Sequence, residues 1–175
     1  MSDILLVRPD ETMLDEIAAY REAMLTAGDS FDGCSGLEDY NSAEVWLRHV
    51  RDMENPETCP PHLVTATLYV AVRKTDFRIV GMTDLRHRLN DYLAEYGGHI
   101  GYSVRPDERR KEYATQMLAF TLLEARKLGI NRVLVTCDED NVASARTILA
   151  NGGVFERNTW LEDDKQTVSR YWIDV

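Results

Sequence analysis

The chain has 175 residues, enough for one substantial domain with its own buried core. Hydrophobic residues make up 44% and charged residues 29%, which excludes a disordered or collagen-like chain. Thirty acidic residues against 20 basic ones give a formal charge of −10, which argues against a general nucleic-acid binder, because neutralising phosphates needs a positive surface.

Ile4 to Arg8 reads as a short strand closed by Pro9, with Asp10 or Thr12 able to cap the next helix. Met13, Ile17, Tyr20 or Ala23, and Met24 recur at helical spacing, and Gly28 marks that helix's end. The stretch 29–40, DSFDGCSGLEDY, has the acids and glycines of a loop. A second helix is expected from Asn41, with Asn41 and Glu44 at capping-box spacing, through Trp46, Val50 and Met53 to Asn55. Leu63 to Val72 and Phe77 to Arg86 flank RKTD and predict an antiparallel hairpin, with Gly81 marking a bulge or a close backbone approach. His87 to Gly98 is expected to be an irregular, partly buried connection.

His99 to Val104 reads as a strand, followed by a charged turn and a long amphipathic helix. Ala114, Met117, Leu118, Thr121, Leu122, Ala125 and Leu128 form one apolar stripe, which Gly129 ends. The helix N-terminus thus falls beside a strand end, and its unpaired backbone N–H groups suit an anion such as a phosphate. Arg132 to Cys137 predicts a buried strand, completing a parallel βαβ crossover. DEDN at 138–141 opens a further helix carrying Val142, Ala145, Ile148 and Leu149, and Val154 to Glu162 with Gln166 to Asp174 closes the chain as a hairpin. The expected fold is α/β, a single domain over 1–175 whose mixed, mostly antiparallel central sheet is flanked by helices and contains one parallel crossover.

Three cysteines without a CxxC pair suggest neither a disulfide framework nor a zinc site, so no metal is expected. With no basic leader and no apolar run of spanning length, a cytoplasmic protein with no membrane partner is expected. GxxxxGK[ST] is absent, which argues against a P-loop nucleotide site.

GYSVRP, RRKEYA at 109–114, TCDEDNVASARTILANGG at 136–153 and the ending SRYWIDV together resemble the GNAT family of N-acetyltransferases, and in particular a bacterial branch of it. The resemblance covers nearly the whole chain. It implies transfer of an acetyl group from acetyl-CoA, the cosubstrate, to a primary amine by direct attack on the thioester. The acceptor would be a small-molecule or peptide amine, and a homodimer is a further expectation. By the same resemblance Tyr102, Ser103 and Val104 would flank the cofactor, while Arg109, Arg110, Lys111, Glu112, Tyr113, Ala114 and Thr115 would cradle its pyrophosphate. Asn141 and Ser144 would lie near the pantetheine arm.

Two residues depart from the family pattern. Glu112 stands at a glycine position, where a carboxylate about 5 Å from a pyrophosphate charge costs roughly 3 kcal/mol at an effective dielectric of 20, and under about 1 kcal/mol if solvated. Weakened CoA binding is therefore expected, with Arg109, Arg110 and Lys111 offsetting the repulsion. Ile148 stands where many members carry a tyrosine that protonates the departing thiolate, which leaves the general acid unassigned. These departures make a noncatalytic acyl-CoA-binding or regulatory module the competing expectation.

A base must free the amine's lone pair. His99 is the first candidate and Glu95 the second, ahead of Asp84 and His87. Cys137 is expected to be a packed thiol and not a nucleophile. Asp29, Asp32, Glu38 and Asp39 would give the acceptor border a negative potential suited to a cationic amine.

Overall fold

The structure, a computed structural model, describes residues 2–175. In chain order it contains β1 (Ile4–Val7), α1 (Leu14–Ala27), α2 (Ala43–Glu54), β2 (Ala66–Arg73), β3 (Ile79–Arg86), β4 (Ile100–Val104), α3 (Tyr113–Lys127), β5 (Arg132–Asp138), α4 (Val142–Ala150), β6 (Val154–Leu161) and β7 (Gln166–Asp174). No helix among the described residues is long and apolar enough to cross a membrane.

Local chemistry accounts for most boundaries. Asp10 accepts from the Thr12 N–H at 2.8 Å and starts a short turn that runs into α1. Gly28, at φ 63, ends α1 with its N–H on the last-turn carbonyls. The cap of α2 is Ser42, which accepts from the Val45 N–H at 3.4 Å, so the helix starts after Ser42 and not at Asn41. Phe77 lies at φ 57 in the turn between β2 and β3, which delays β3 to Ile79. Register shifts where Ala71 faces Gly81 and Val72 faces Ile79, the expected bulge.

The parallel crossover is corrected. Among the described residues every ladder is antiparallel, and the strands form two sheets, ordered β1-β2-β3-β4 and β5-β7-β6. Beside β4 and β5 the sheets meet at a seam. The His99 N–H donates to the Leu134 carbonyl at 2.7 Å, and the Leu134 N–H donates to His99 Nδ1 at 2.9 Å. A side chain thus takes the place of the next backbone acceptor, and no ladder forms between the strands. Gly98 is required here, since at φ +66 an added Cβ would stand 2.6 Å from the Leu134 oxygen.

Helix α3 joins the two sheets. Its Leu118, Leu122 and Ala125 share one buried cluster with Leu85 and Ile100 of the first sheet and with Val133, Val135, Tyr171 and Ile173 of the second. On the opposite face, Leu68, Val70 and Val72 of β2 pack with Ile17, Tyr20, Met24, Trp46 and Leu47 from α1 and α2. Period-two alternation assigns β2 to both clusters, because Tyr69 lies on the α3 side.

Candidate functional site

Beyond the seam β4 and β5 bound a cleft of about 310 Å³, whose lining includes Asp32, Tyr102, Cys137, Asp138, Ser144 and Asp164. The loop before α2 closes one side and is held down by two contacts. Trp46 Nε1 donates to the Cys34 carbonyl at 2.9 Å, and Gly33 packs so closely on β4 that a Cβ there would lie 2.4 Å from the Gly101 oxygen.

The residues expected around the anion divide into two groups. The N–H groups of Tyr113, Ala114 and Thr115 precede the first helical bond, which runs from the Gln116 N–H to the Glu112 carbonyl, so they have no intrahelical partner. Among the described residues no side chain caps α3, and no acid lies in its first turn. These uncapped donors, at the positive helix end, fit a pyrophosphate. The cationic side chains contribute less than their number suggests. Arg109 pairs with Asp29 at 2.7 Å and Lys111 with Glu108 at 2.6 Å, leaving Arg110 as the one loop cation at 109–111 without an ion pair among the described residues.

Arg110 and Glu112 lie at φ 62 and φ 60, the left-handed region that glycine occupies without penalty. The backbone therefore has the glycine geometry at both positions although neither residue is glycine. The Glu112 side chain is exposed, so the solvated figure of under about 1 kcal/mol applies to its repulsion.

Ser103 is not on the cleft. Its hydroxyl is buried between Tyr20, at 3.0 Å, and Cys34, at 3.1 Å. Its neighbour Tyr102 alternates to the opposite face, where its hydroxyl meets that of Ser144 at 2.7 Å. Burial, ahead of all other influences, pushes the Tyr102 phenol well above its ordinary range, so it stays protonated. Asn141 caps α4, accepting from the Ser144 N–H at 3.0 Å, and thereby sets the Ser144 position. Ile148 is fully buried in the core.

Both candidate bases are already occupied. His99 is buried, and because its Nδ1 accepts from Leu134, the neutral ring carries its proton on Nε2 and has no free lone pair. Burial first, then Arg86, lowers its pKa. Glu95 holds Arg157 with both oxygens, at 2.9 and 2.8 Å, and accepts from Thr159 at 2.6 Å. These partners, Arg157 foremost, hold it at about 2, too acidic to take a proton from an amine. Asp84 is buried and accepts from the Gly101 N–H at 3.0 Å, and the His87 ring contacts Thr67 at 2.9 Å.

Three cleft carboxylates remain. Asp32, Asp138 and Asp164 line the cleft, and none has an ion-pair partner among the described residues. Partial burial, and then repulsion from Asp32, Asp140 and Asp164, raises the Asp138 pKa from its ordinary value. Of the four acids expected at the acceptor border only Asp32 lies on the cleft lining. Asp138 and Asp164 come from distant parts of the sequence, and their one local signal was their place beside a strand end and a hairpin turn. Burial pushes the Cys137 thiol up to about 11, away from the nucleophilic thiolate.

An uncapped helix N-terminus beside two strands held apart offers backbone donors to an anion on an α/β scaffold. Residues 4–154 match the family model described as acetyltransferase (GNAT) domain, and the chain belongs to that family. Among solved structures it is similar to the ribosomal-protein-S5-alanine acetyltransferase from Vibrio fischeri, at 16% identity and a TM-score of 0.72 over 99% of this chain and 94% of that one. Another is the microcin C7 self-immunity acetyltransferase MccE, solved with acetyl-CoA and AMP, at 16% identity and a TM-score of 0.70 over 100% and 94%. A third is RimL, the ribosomal L7/L12 alpha-N-protein acetyltransferase, solved with coenzyme A, at 18% identity and a TM-score of 0.69 over 100% and 96%. No curated protein sequence matches the chain.

Proposed function

We propose that this acetyltransferase uses acetyl-CoA to acetylate a cationic primary amine, by direct attack on the thioester. The observation that carries this reading is the cleft itself, which combines three unpaired carboxylates with the Tyr102–Ser144 hydroxyl pair. Acetyl-CoA supplies the activated acetyl group. The N–H groups of Tyr113, Ala114 and Thr115 bind its pyrophosphate, and the gap between β4 and β5 takes the pantetheine arm.

An ammonium acceptor is drawn to the cleft by Asp32, Asp138 and Asp164. Asp138 takes the proton, directly or through water, so that the amine attacks with its lone pair free. Its raised pKa moves it toward the task, whereas His99 and Glu95 are committed to structural hydrogen bonds. The Tyr102 hydroxyl, in contact with Ser144, donates a proton to the departing thiolate. This pair supplies from β4 and the start of α4 what Ile148 cannot.

Thiol release measured over a panel of polyamines, aminoglycosides, lysine peptides and neutral amines tests the proposal. Turnover confined to cationic amines is expected. Turnover of neutral amines alone would overturn the acceptor class. Acetyl-CoA binding without turnover of any amine would favour a noncatalytic module.

A further inference from the structure

Glu108 is 2% exposed, on the short turn 106–108 between β4 and the anion-binding end of α3. Its carboxylate accepts from Arg73 Nη1 with both oxygens at 2.9 Å and from Lys111 Nζ at 2.6 Å, and it forms an ion pair with Arg78 Nη1 at 3.0 Å. The cations come from three segments, since Arg73 ends β2, Arg78 precedes β3 and Lys111 lies in the loop itself. Each arginine is also oriented by another acid: Arg73 holds Asp76 through two bonds, and Arg78 holds Asp107 at 2.6 Å. Burial acts to raise the Glu108 pKa, but Lys111 and Arg73 outweigh it and hold the carboxyl below its ordinary value.

The residues flanking Lys111 are Arg110 and Glu112, both in the left-handed region. Such conformations persist in residues other than glycine only where the surroundings over-determine them. Lys111, fixed to a buried carboxylate, lies between these two positions. We propose that Glu108 is the positioning residue of the cofactor loop, clamping Lys111 against the β2–β3 turn so that Arg110 and Glu112 hold the backbone geometry of glycine and the α3 N–H groups converge on one anion. The clamp does not touch the anion. It replaces glycine's conformational freedom with an ion-pair anchor, and it rests on the assignment of CoA to this loop.

Calorimetry with CoA and with pantetheine, which lacks the pyrophosphate, separates this role from a general structural one. Glu108→Gln is expected to weaken CoA binding about tenfold, a factor equivalent to about 1.4 kcal/mol. Pantetheine binding stays unchanged. In a Glu112→Gly background, where one strained position is relieved, the same substitution is expected to cost about threefold or less. Equal losses for both ligands, equal losses in both backgrounds, or no loss of CoA affinity would each overturn the proposal. If Glu108→Gln does not fold, Arg78→Gln keeps the Arg73 and Lys111 contacts and is expected to weaken CoA alone by about threefold. A wild-type chain that fails to bind CoA would overturn the cofactor assignment and the clamp together, whereas normal wild-type binding with an unaffected variant would overturn the clamp only.

Discussion

The loop before α3 and the cleft between β4 and β5 handle charge in opposite ways. At the cofactor loop Arg73, Arg78, Arg105, Arg109 and Lys111 are each paired with Asp29, Asp76, Asp107 or Glu108, and the groups left for an anion are mainly backbone N–H donors. In the cleft Asp32, Asp138 and Asp164 line the same space with no cation paired to them among the described residues. Charge that is neutralised within the chain builds geometry, and charge left without a partner is available to a ligand. Counting Arg109, Arg110 and Lys111 as three free cations therefore overstates the positive charge of that loop, and of the cluster Asp29, Asp32, Glu38 and Asp39 only Asp32 lines the cleft.

The sharpest way to break this contrast is Asp138→Asn. It is expected to lower kcat/KM on the order of 1,000-fold and leave CoA affinity unchanged. In the wild type, activity should rise with pH through the Asp138 ionisation, at a midpoint raised from the ordinary aspartate value, and the variant should lack that limb. A full-activity variant would return the base to another group. Tyr102→Phe comes next, with kcat expected to fall on the order of 100-fold and CoA affinity retained, which single-turnover kinetics would report.

His99 tests the seam that opens the cleft. His99→Leu leaves the buried Leu134 N–H without an acceptor and is expected to cost about 1–3 kcal/mol in denaturant unfolding. The pH dependence has a defined sign. Because the folded-state pKa is lowered from 6.5, the unfolded chain binds the proton more readily, so this part of the stability is present above 6.5 and is lost as pH falls toward the folded value. The slope of stability against pH below 6.5 should therefore be shallower in His99→Leu than in the wild type, and equal slopes would refute the neutral-ring assignment.

Glu112→Gly removes an exposed carboxylate and one left-handed strain together, so CoA should bind roughly threefold more tightly. An unchanged dissociation constant would sink this account of Glu112. The smallest effect expected is that of salt. Shortening the screening length from about 30 Å at 0.01 M to about 3 Å at 1 M should raise KM for a cationic acceptor about twofold, and a neutral acceptor should show no such trend.

The order of elements was legible because hydrophobic periodicity is a local property. Met117, Leu118, Thr121, Leu122 and Ala125 are buried on α3 as their spacing requires, and the hairpins around 74–78 and 162–165 follow from their turn residues. The uncapped N-terminus of α3 was legible for the same reason. The resemblance of RRKEYA and the surrounding segments to the GNAT family makes that terminus the expected CoA site. Caps shifted by a residue, as from Asn41 to Ser42, reflect competition between adjacent polar side chains that spacing alone does not resolve.

Pairing and partnership lay beyond the sequence. Whether β4 and β5 form a ladder depends on the His99 ring reaching Leu134, a contact across 35 positions. Whether Glu95 is a base depends on Arg157, 62 positions away, and whether Lys111 is free depends on a carboxylate that Arg73 and Arg78 help to bury. The sequence by itself determined the elements, their order and the place where an anion would meet backbone donors, since all three arise from neighbours along the chain. The tertiary structure alone decided which charges are cancelled and which remain, because desolvation and ion pairing are set by residues brought together from distant segments.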